Sequence, residues 1–270
     1  MKTVLMTGAA GGVGGHLRRE LAGRYALRLS DRAGIEDLRE AESFAAADLA
    51  DIDAVRRAVE GVDAIVHLGG FSVEGSWDAI LEANIVGTRN VYEAAREAGV
   101  RRVVFASSNH AVGFHERTET IDHEALPRPD SRYGLSKVFG EALARLYADK
   151  YGVTSLCIRI GNVDERPRDV RRLAIWISPR DLAQLVSIGI DHEGLAFEIV
   201  YGMSDNARAW WDNSNALRLG YRPEDRAEDH AERVLAETPA ETGDPVADRF
   251  QGGGFCSTES GGDPAKPGPA

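Results

Sequence analysis

Cysteine is scarce in this 270-residue chain, with only Cys157 and Cys256. Cys157 falls in the apolar run Thr154–Ile160 and reads as a buried strand residue; Cys256 falls in a glycine-rich C-terminal stretch. Neither spacing builds a metal site or a disulfide framework. Positive charge is short as well: 32 Lys and Arg face 43 Asp and Glu, giving a net charge of −11 and a pI near 5.2. With no basic stripe to offset this, nucleic acid and anionic membrane surfaces are poor partners. No apolar run approaches the ~20 residues of a membrane-spanning helix. The chain runs from Met1 straight into a strand pattern, which leaves no room for a signal peptide, so a cytoplasmic protein is expected. What is plentiful is core material: 43% of the residues are hydrophobic, enough for one large domain or two small ones.

Strand and helix patterns alternate along the first two thirds. Strands are expected at Thr3–Thr7, Tyr25–Leu29, Ser43–Ala47, Asp63–Leu68, Arg102–Ser107 and Thr154–Ile160, with a seventh at Ala196–Tyr201. Between them lie helix patterns, notably over Asp78–Ala98 and Ser131–Tyr151. Alternation of this kind predicts an α/β fold, a doubly wound Rossmann-type parallel sheet covered by helices on both faces. Residues 164–237 hold a helix over Pro179–Ile190, the seventh strand and a helix-like segment near 213–219. They suit a small substrate cap on a core of residues 1–163, the two forming one domain over 1–237. From 238 to 270 the chain is rich in Pro, Gly, Asp and Glu and reads as a disordered or extended tail.

Thr7-Gly-Ala-Ala-Gly-Gly-Val-Gly14 sets Gly8, Gly11 and Gly14 in a G-x-x-G-x-x-G pattern between a strand and a helix. Glycines there let the backbone approach a pyrophosphate, and the helix N-terminus offers N–H donors and a favourable dipole. Gly12 and Val13 belong to the same turn. Asp31, at the end of the second strand, suits the adenosine ribose hydroxyls and repels a 2′-phosphate, favouring NAD over NADP. Arg32 beside it pulls the other way. Asp48 and Leu49 follow the third strand, and Leu68, Gly69 and Gly70 end the fourth, where glycine permits close approach to the cofactor.

Tyr133 and Lys137 stand four residues apart on one helical face, with Ser107 and Ser108 at the end of the fifth strand. A nearby ammonium favours a phenolate, so the pair is a candidate general base for work near neutral pH. Adjacent strand residues point to opposite faces, and Ser108 is favoured over Ser107.

These features resemble the extended short-chain dehydrogenase/reductase superfamily over residues 1–237. The resemblance implies Tyr133 as base, Ser108 on the reacting oxygen, and Lys137 tuning the tyrosine and holding the nicotinamide ribose. Val163 is assigned to the cofactor as well. His67-Leu-Gly-Gly-Phe-Ser-Val-Glu74, Phe105-Ala-Ser-Ser-Asn-His110, Arg128-Pro-Asp-Ser-Arg-Tyr-Gly-Leu-Ser-Lys137, Val200-Tyr-Gly202, Trp210-Trp-Asp-Asn213 and Arg249-Phe-Gln-Gly-Gly253 are similar to uronate dehydrogenases. That family oxidises C1 of glucuronate or galacturonate with NAD, giving an aldarolactone. The resemblance implies a homo-oligomer, with a sugar-acid substrate held by Ser72, Ser108, Asn109, His110 and Asn162 and its carboxylate on Arg171, for which Arg172 competes. His115 and His123 fit no metal site, and none is expected.

One departure bears on the substrate. Uronate dehydrogenases show R-I-G-S after the sixth strand, whereas this chain has Arg159-Ile-Gly-Asn162. That sequence, and more mildly Asn206, resembles the NAD-dependent glucose-6-phosphate dehydrogenases of the same superfamily. A sugar-phosphate enzyme drawing on Arg166, Arg168, Arg171 and Arg172 is therefore the rival reading. A non-catalytic NAD-binding sensor is a third. The short cap argues against a nucleotide-sugar epimerase.

Overall fold

The computed structural model describes residues 1–259. Its strands are β1 (Thr3–Thr7), β2 (Ala26–Ser30), β3 (Glu42–Phe44), β4 (Ala64–His67), β5 (Arg102–Ser108), β6 (Thr154–Ile160), β7 (Asn162–Val163), β8 (Trp176–Ile177) and β9 (Phe197–Gly202). Seven of them form one sheet, in the order β3-β2-β1-β4-β5-β6-β9, with every neighbouring pair parallel. The order reverses between β1 and β4, and an open α/β sheet binds ligands at such a switch point. A separate two-stranded ribbon pairs β7 with β8.

Because both faces of a parallel sheet are covered, its central strands are mainly apolar. Val4, Met6 and Val66 face one core layer with Leu182 and Leu185, while Leu5, Ile65 and Val103 face the other with Val55 and Val91. The layers are closed by α1 (Gly12–Glu20), α2 (Ile52–Val59), α3 (Trp77–Ile80), α4 (Gly87–Ala98), α5 (Arg132–Tyr151), α6 (Arg172–Ile175) and α7 (Pro179–Asp191). Polar caps set several starts: Asp51 on α2, Ser76 on α3, Ser131 on α5, and Ser178 followed by Pro179 on α7. Gly99 and Gly152, both left-handed, end α4 and α5.

The helix expected over Asp78–Ala98 is interrupted. Leu81–Val86 is π-helical between α3 and α4, and that wider turn directs Asn84 at the loop after β4, as described below. The third strand is shorter than the expected Ser43–Ala47 and starts one residue earlier.

The C-terminal segment differs from the disordered or extended tail expected. After α8 (Ser214–Arg218) and α9 (Ala231–Glu237) come two further helical turns, α10 (Pro245–Arg249) and α11 (Gly254–Ser257). Val246, Phe250 and Cys256 are buried together against Phe114, so apolar residues spaced through a glycine-rich run give this segment a core of its own. Residues 260–270 of the anticipated tail lie outside the described residues. Among the described residues, no helix is long and apolar enough to cross a membrane.

Candidate active site

A cleft opens at the carboxyl edge of the sheet over the switch point. Gly8, Gly11, Gly12, Val13, Gly14, Asp31, Arg32, Asp48, Leu49, Leu68, Gly69 and Gly70 all line it. Gly8 is left-handed (φ +70°), and a Cβ there would lie 2.7 Å from the Gly69 nitrogen. At Gly14 a Cβ would lie 2.6 Å from the Ala9 carbonyl oxygen. Gly8 lets the turn lie against the loop after β4, and Gly14 lets it fold on itself. Above Gly12 nothing lies within 4 Å of such an atom, leaving room for a ligand. Gly11 is the N-cap of α1 and provides no side-chain cap, so the helix N-terminus keeps donors that a phosphate can take. The cleft therefore fits a dinucleotide. Val163 is not among its walls; it pairs with Ile177 in the β7–β8 ribbon and packs on the core.

Asp31 accepts from Ala10 N and Ala33 N, both at 3.1 Å, which ties the glycine turn to the end of β2. Arg32 reaches the Asp48 carboxylate at 3.8 Å, a loose surface pair.

Ser108, Tyr133 and Lys137 come together from β5 and α5, all buried. Lys137 Nζ donates to the Ala106 carbonyl at 2.8 Å and lies 5.4 Å from the Tyr133 ring centre. Burial pushes the Tyr133 phenol up to about 12; the Ser108 hydroxyl pulls it down and Asp130 raises it further. Burial also lowers Lys137 to about 8. The lowered tyrosine expected from the Tyr/Lys spacing is thus outweighed by desolvation of both groups. Ser107 turns to the opposite face and donates to Glu141 at 2.6 Å.

The other side of the site is built from distant segments. Ser72 lines the cleft. Asn109, in the better-bonded orientation of its amide, donates to the Ile160 carbonyl at 3.2 Å and accepts from Arg171 Nη2 at 3.3 Å. His110 is bound through Nδ1 to Asp130 at 2.6 Å, and its ring stacks on Phe255 at 3.9 Å. Asn162 Oδ1 is buried without a partner among the described residues, and an orphaned acceptor of this kind suits a ligand hydroxyl. Arg171 is the inward arginine. Burial lowers it to about 10, helped by the charges of Arg117 and Arg172. Its Nε and Nη2 donate to the Gln251 carbonyl at 3.1 and 2.7 Å, and it forms no ion pair with the described residues. Arg172 is engaged with Asp169, Arg168 with Asp164, and Arg166 is exposed. Asn206 binds the Ala174 and Trp176 carbonyls as a backbone clamp. Trp211 stacks on Tyr201 at 4.8 Å.

Four contributors escaped the sequence reading. Glu74 accepts from Tyr133 N at 3.1 Å and pairs with Arg132 at 2.9 Å. Asn84 accepts from Phe71 N and donates to Phe71 O and Ser136 Oγ, joining the loop after β4 to α5. Asp130 and Phe255 complete the set around His110. Glu74 and Asp130 stand inside the segments quoted above for their resemblance, which was the available signal; the contacts of Asn84 and Phe255 span too much sequence for a local pattern to show.

Among the described residues there is no cluster of three His, Cys, Asp or Glu that could hold a metal. Residues 4–174 match the model of the NAD dependent epimerase/dehydratase family. A uronate dehydrogenase from Pseudomonas putida is 48% identical over 94% of this chain and 95% of its own length. An NAD-dependent glucose-6-phosphate dehydrogenase from Haloferax volcanii is 38% identical over 83% of this chain and 94% of its own. Among solved structures, a mutant uronate dehydrogenase from Agrobacterium tumefaciens complexed with NAD superposes with a TM-score of 0.91. It has 42% identity and covers 95% of this chain and 97% of its own.

Proposed function

The chain belongs to the NAD dependent epimerase/dehydratase family, and on that premise we propose that it is an NAD-dependent uronate dehydrogenase. It oxidises C1 of D-glucuronate or D-galacturonate to the aldarolactone. The observation that carries the substrate class is Arg171, a desolvated guanidinium with no carboxylate partner among the described residues. A half-buried cation with no acidic partner offers a place for an anion, and a carboxylate suits the donors it leaves open.

In this reading Tyr133 takes the proton of the C1 hydroxyl while Ser108 hydrogen-bonds the same oxygen. Lys137, held by the Ala106 carbonyl, keeps a positive charge beside the phenol. Arg171 binds the C6 carboxylate, and Asn109, His110, Asn162 and Ser72 orient hydroxyls. Gly8 to Gly14 hold the pyrophosphate and Asp31 the adenosine ribose. NAD supplies the hydride acceptor and, when oxidised, a positive ring charge that favours the phenolate.

A phosphate dianion needs two or more cationic donors. Of Arg166, Arg168, Arg171 and Arg172, Arg171 alone points inward without an acidic partner among the described residues: Arg168 and Arg172 are occupied by Asp164 and Asp169, and Arg166 is exposed. This favours a uronate over glucose 6-phosphate. Homo-oligomerisation belongs to the same reading, since Leu135 and Leu146 stand exposed on α5; a monomer mass by light scattering counts against it. A cytoplasmic location, where an NAD pool is available, also belongs to this reading; finding the protein outside the cytoplasmic fraction removes it.

The deciding experiment follows NADH formation with glucuronate, galacturonate and glucose 6-phosphate side by side. Turnover of the uronates alone supports the reading. Preference for the phosphate transfers the assignment to the rival enzyme, and NAD binding without turnover points to a sensor.

A further inference from the structure

Gln251 is fully buried, and every polar group of its amide is engaged. Its Oε1 accepts from Trp211 Nε1 at 2.9 Å, and its Nε2 donates to the Glu116 and Glu119 carbonyls at 3.0 and 3.1 Å. Its backbone N–H donates to the His115 carbonyl at 2.9 Å. The remaining group, its carbonyl oxygen, receives both Nε and Nη2 of Arg171. One residue from the C-terminal segment therefore fixes one edge of the guanidinium. Arg171 Nη1 makes no hydrogen bond to the described residues.

The neighbouring glycines serve the same contact. At Gly253, which is left-handed (φ +66°), a Cβ would lie 2.6 Å from Arg171 Nε. At Gly252 it would collide with the Asp130 carboxylate. Only a backbone without side chains can lie this close to both groups. The Phe250-Gln-Gly-Gly253 run is thus shaped around Arg171 and Asp130, which sit far away in sequence.

We propose that Gln251 is the positioning residue for Arg171: its amide anchors the C-terminal strap whose carbonyl aims the guanidinium at the C6 carboxylate. This rests on the uronate reading. An arginine at the edge of a short helix has several rotamers, and with Nε and Nη2 held by the Gln251 carbonyl and Nη2 also by Asn109, it is Nη1 that is presented to the ligand. The strap touches the substrate only through Arg171 in this role, so its influence falls on sugar-acid affinity and not on the hydride step.

The test is a double-mutant cycle on the full chain, reading kcat and KM for glucuronate together with NAD affinity and melting temperature. Gln251→Ala is expected to raise KM by about tenfold or more with kcat within about threefold and NAD affinity unchanged. Added to Arg171→Ala, it is expected to cause no further loss, since there is no fork left to aim. Where Gln251→Ala does not fold, Trp211→Phe is read by the same criteria; it removes the bond to Gln251 Oε1 and keeps an aromatic ring against Tyr201. Losses that multiply in the double variant, or a fall in kcat and NAD affinity with an unchanged KM, overturn the proposal. If Arg171→Ala raises KM and Gln251→Ala does not, the positioning role alone fails. If Arg171→Ala leaves KM unchanged, the carboxylate assignment itself has failed.

Discussion

The Lys137 ammonium lies 5.4 Å from the Tyr133 ring centre yet spends a hydrogen bond on the Ala106 carbonyl. Burial dominates both groups, with the phenol pushed up to about 12 and the ammonium down to about 8. Turnover requires the phenolate, so kcat/KM should rise with pH from the neutral range. Above about 8 the climb should flatten as Lys137 loses its proton. Tyr133→Phe should cost about 10²–10⁴-fold in kcat and leave NAD affinity within about twofold. A Tyr133→Phe enzyme of normal activity, or a pH profile falling from neutrality upward, contradicts this mechanism.

Asp31 has two tasks that one substitution can separate from Arg32. Its carboxylate braces the glycine turn through Ala10 N and also faces the cleft, whereas Arg32 leans loosely on Asp48. Asp31→Ala should weaken NAD and at the same time improve NADP, because the repelling charge is gone. The ratio of kcat/KM values, NAD over NADP, should drop about tenfold or more, equivalent to about 1.4 kcal/mol. Steady-state kinetics with both cofactors would show it, and an unchanged ratio would move cofactor choice away from Asp31.

What could be read from the chain alone was local. The glycine turn, Asp31, and the Tyr133/Lys137 pair each carry their meaning within one strand–turn–helix unit, and the parallel sheet follows from the alternation of such units. Val163, assigned to the cofactor by resemblance, ends the short β7 and pairs with Ile177 of β8, a pairing no local pattern shows. The pKa of Tyr133 depends on how much protein surrounds it, which spacing does not encode. The substrate side stayed hidden for a related reason: Arg171 meets Gln251 across 80 residues of chain, and His110 meets Phe255 across a longer stretch still. A tail rich in Gly and Pro hides its few anchoring apolar residues, and only packing shows that Phe250 and Cys256 are core.

Glu141 and Arg159 form a buried two-bond pair, at 2.9 Å for each bond, joining α5 to β6. Burial works against the arginine's charge, but the Glu141 bond and its charge outweigh it and raise the arginine's pKa. Ser107 and Tyr201 complete the network. Glu141→Ala leaves the guanidinium buried and unpaired and should destabilise the fold by about 3–5 kcal/mol, measured by urea unfolding. Because α5 carries Tyr133 and Lys137, kcat should fall as well. A loss below about 1 kcal/mol, typical of exposed pairs, would mean that water reaches this pair.

His67 gives an acid limit to stability. Its ring lies wholly buried between Thr7 Oγ1 at 2.8 Å and Thr88 Oγ1 at 3.1 Å, and Thr7 Oγ1 also accepts from Gly69 N under the cofactor cleft. Burial, with a smaller push from the Lys137 charge, lowers the imidazole from 6.5 to about 3. Below 6.5 the unfolded chain binds a proton that the folded chain refuses until about 3, so unfolding takes up that proton and stability falls as pH drops through this window. Linkage sets the size of the loss at up to about 5 kcal/mol by pH 3. Urea unfolding at pH 7, 6 and 5 should show a steepening loss, and His67→Asn, though less stable at pH 7, should show a shallower one. Equal pH slopes in the two proteins would place the acid sensitivity in the carboxylates and mean that the folded protein protonates His67 as readily as the unfolded chain does.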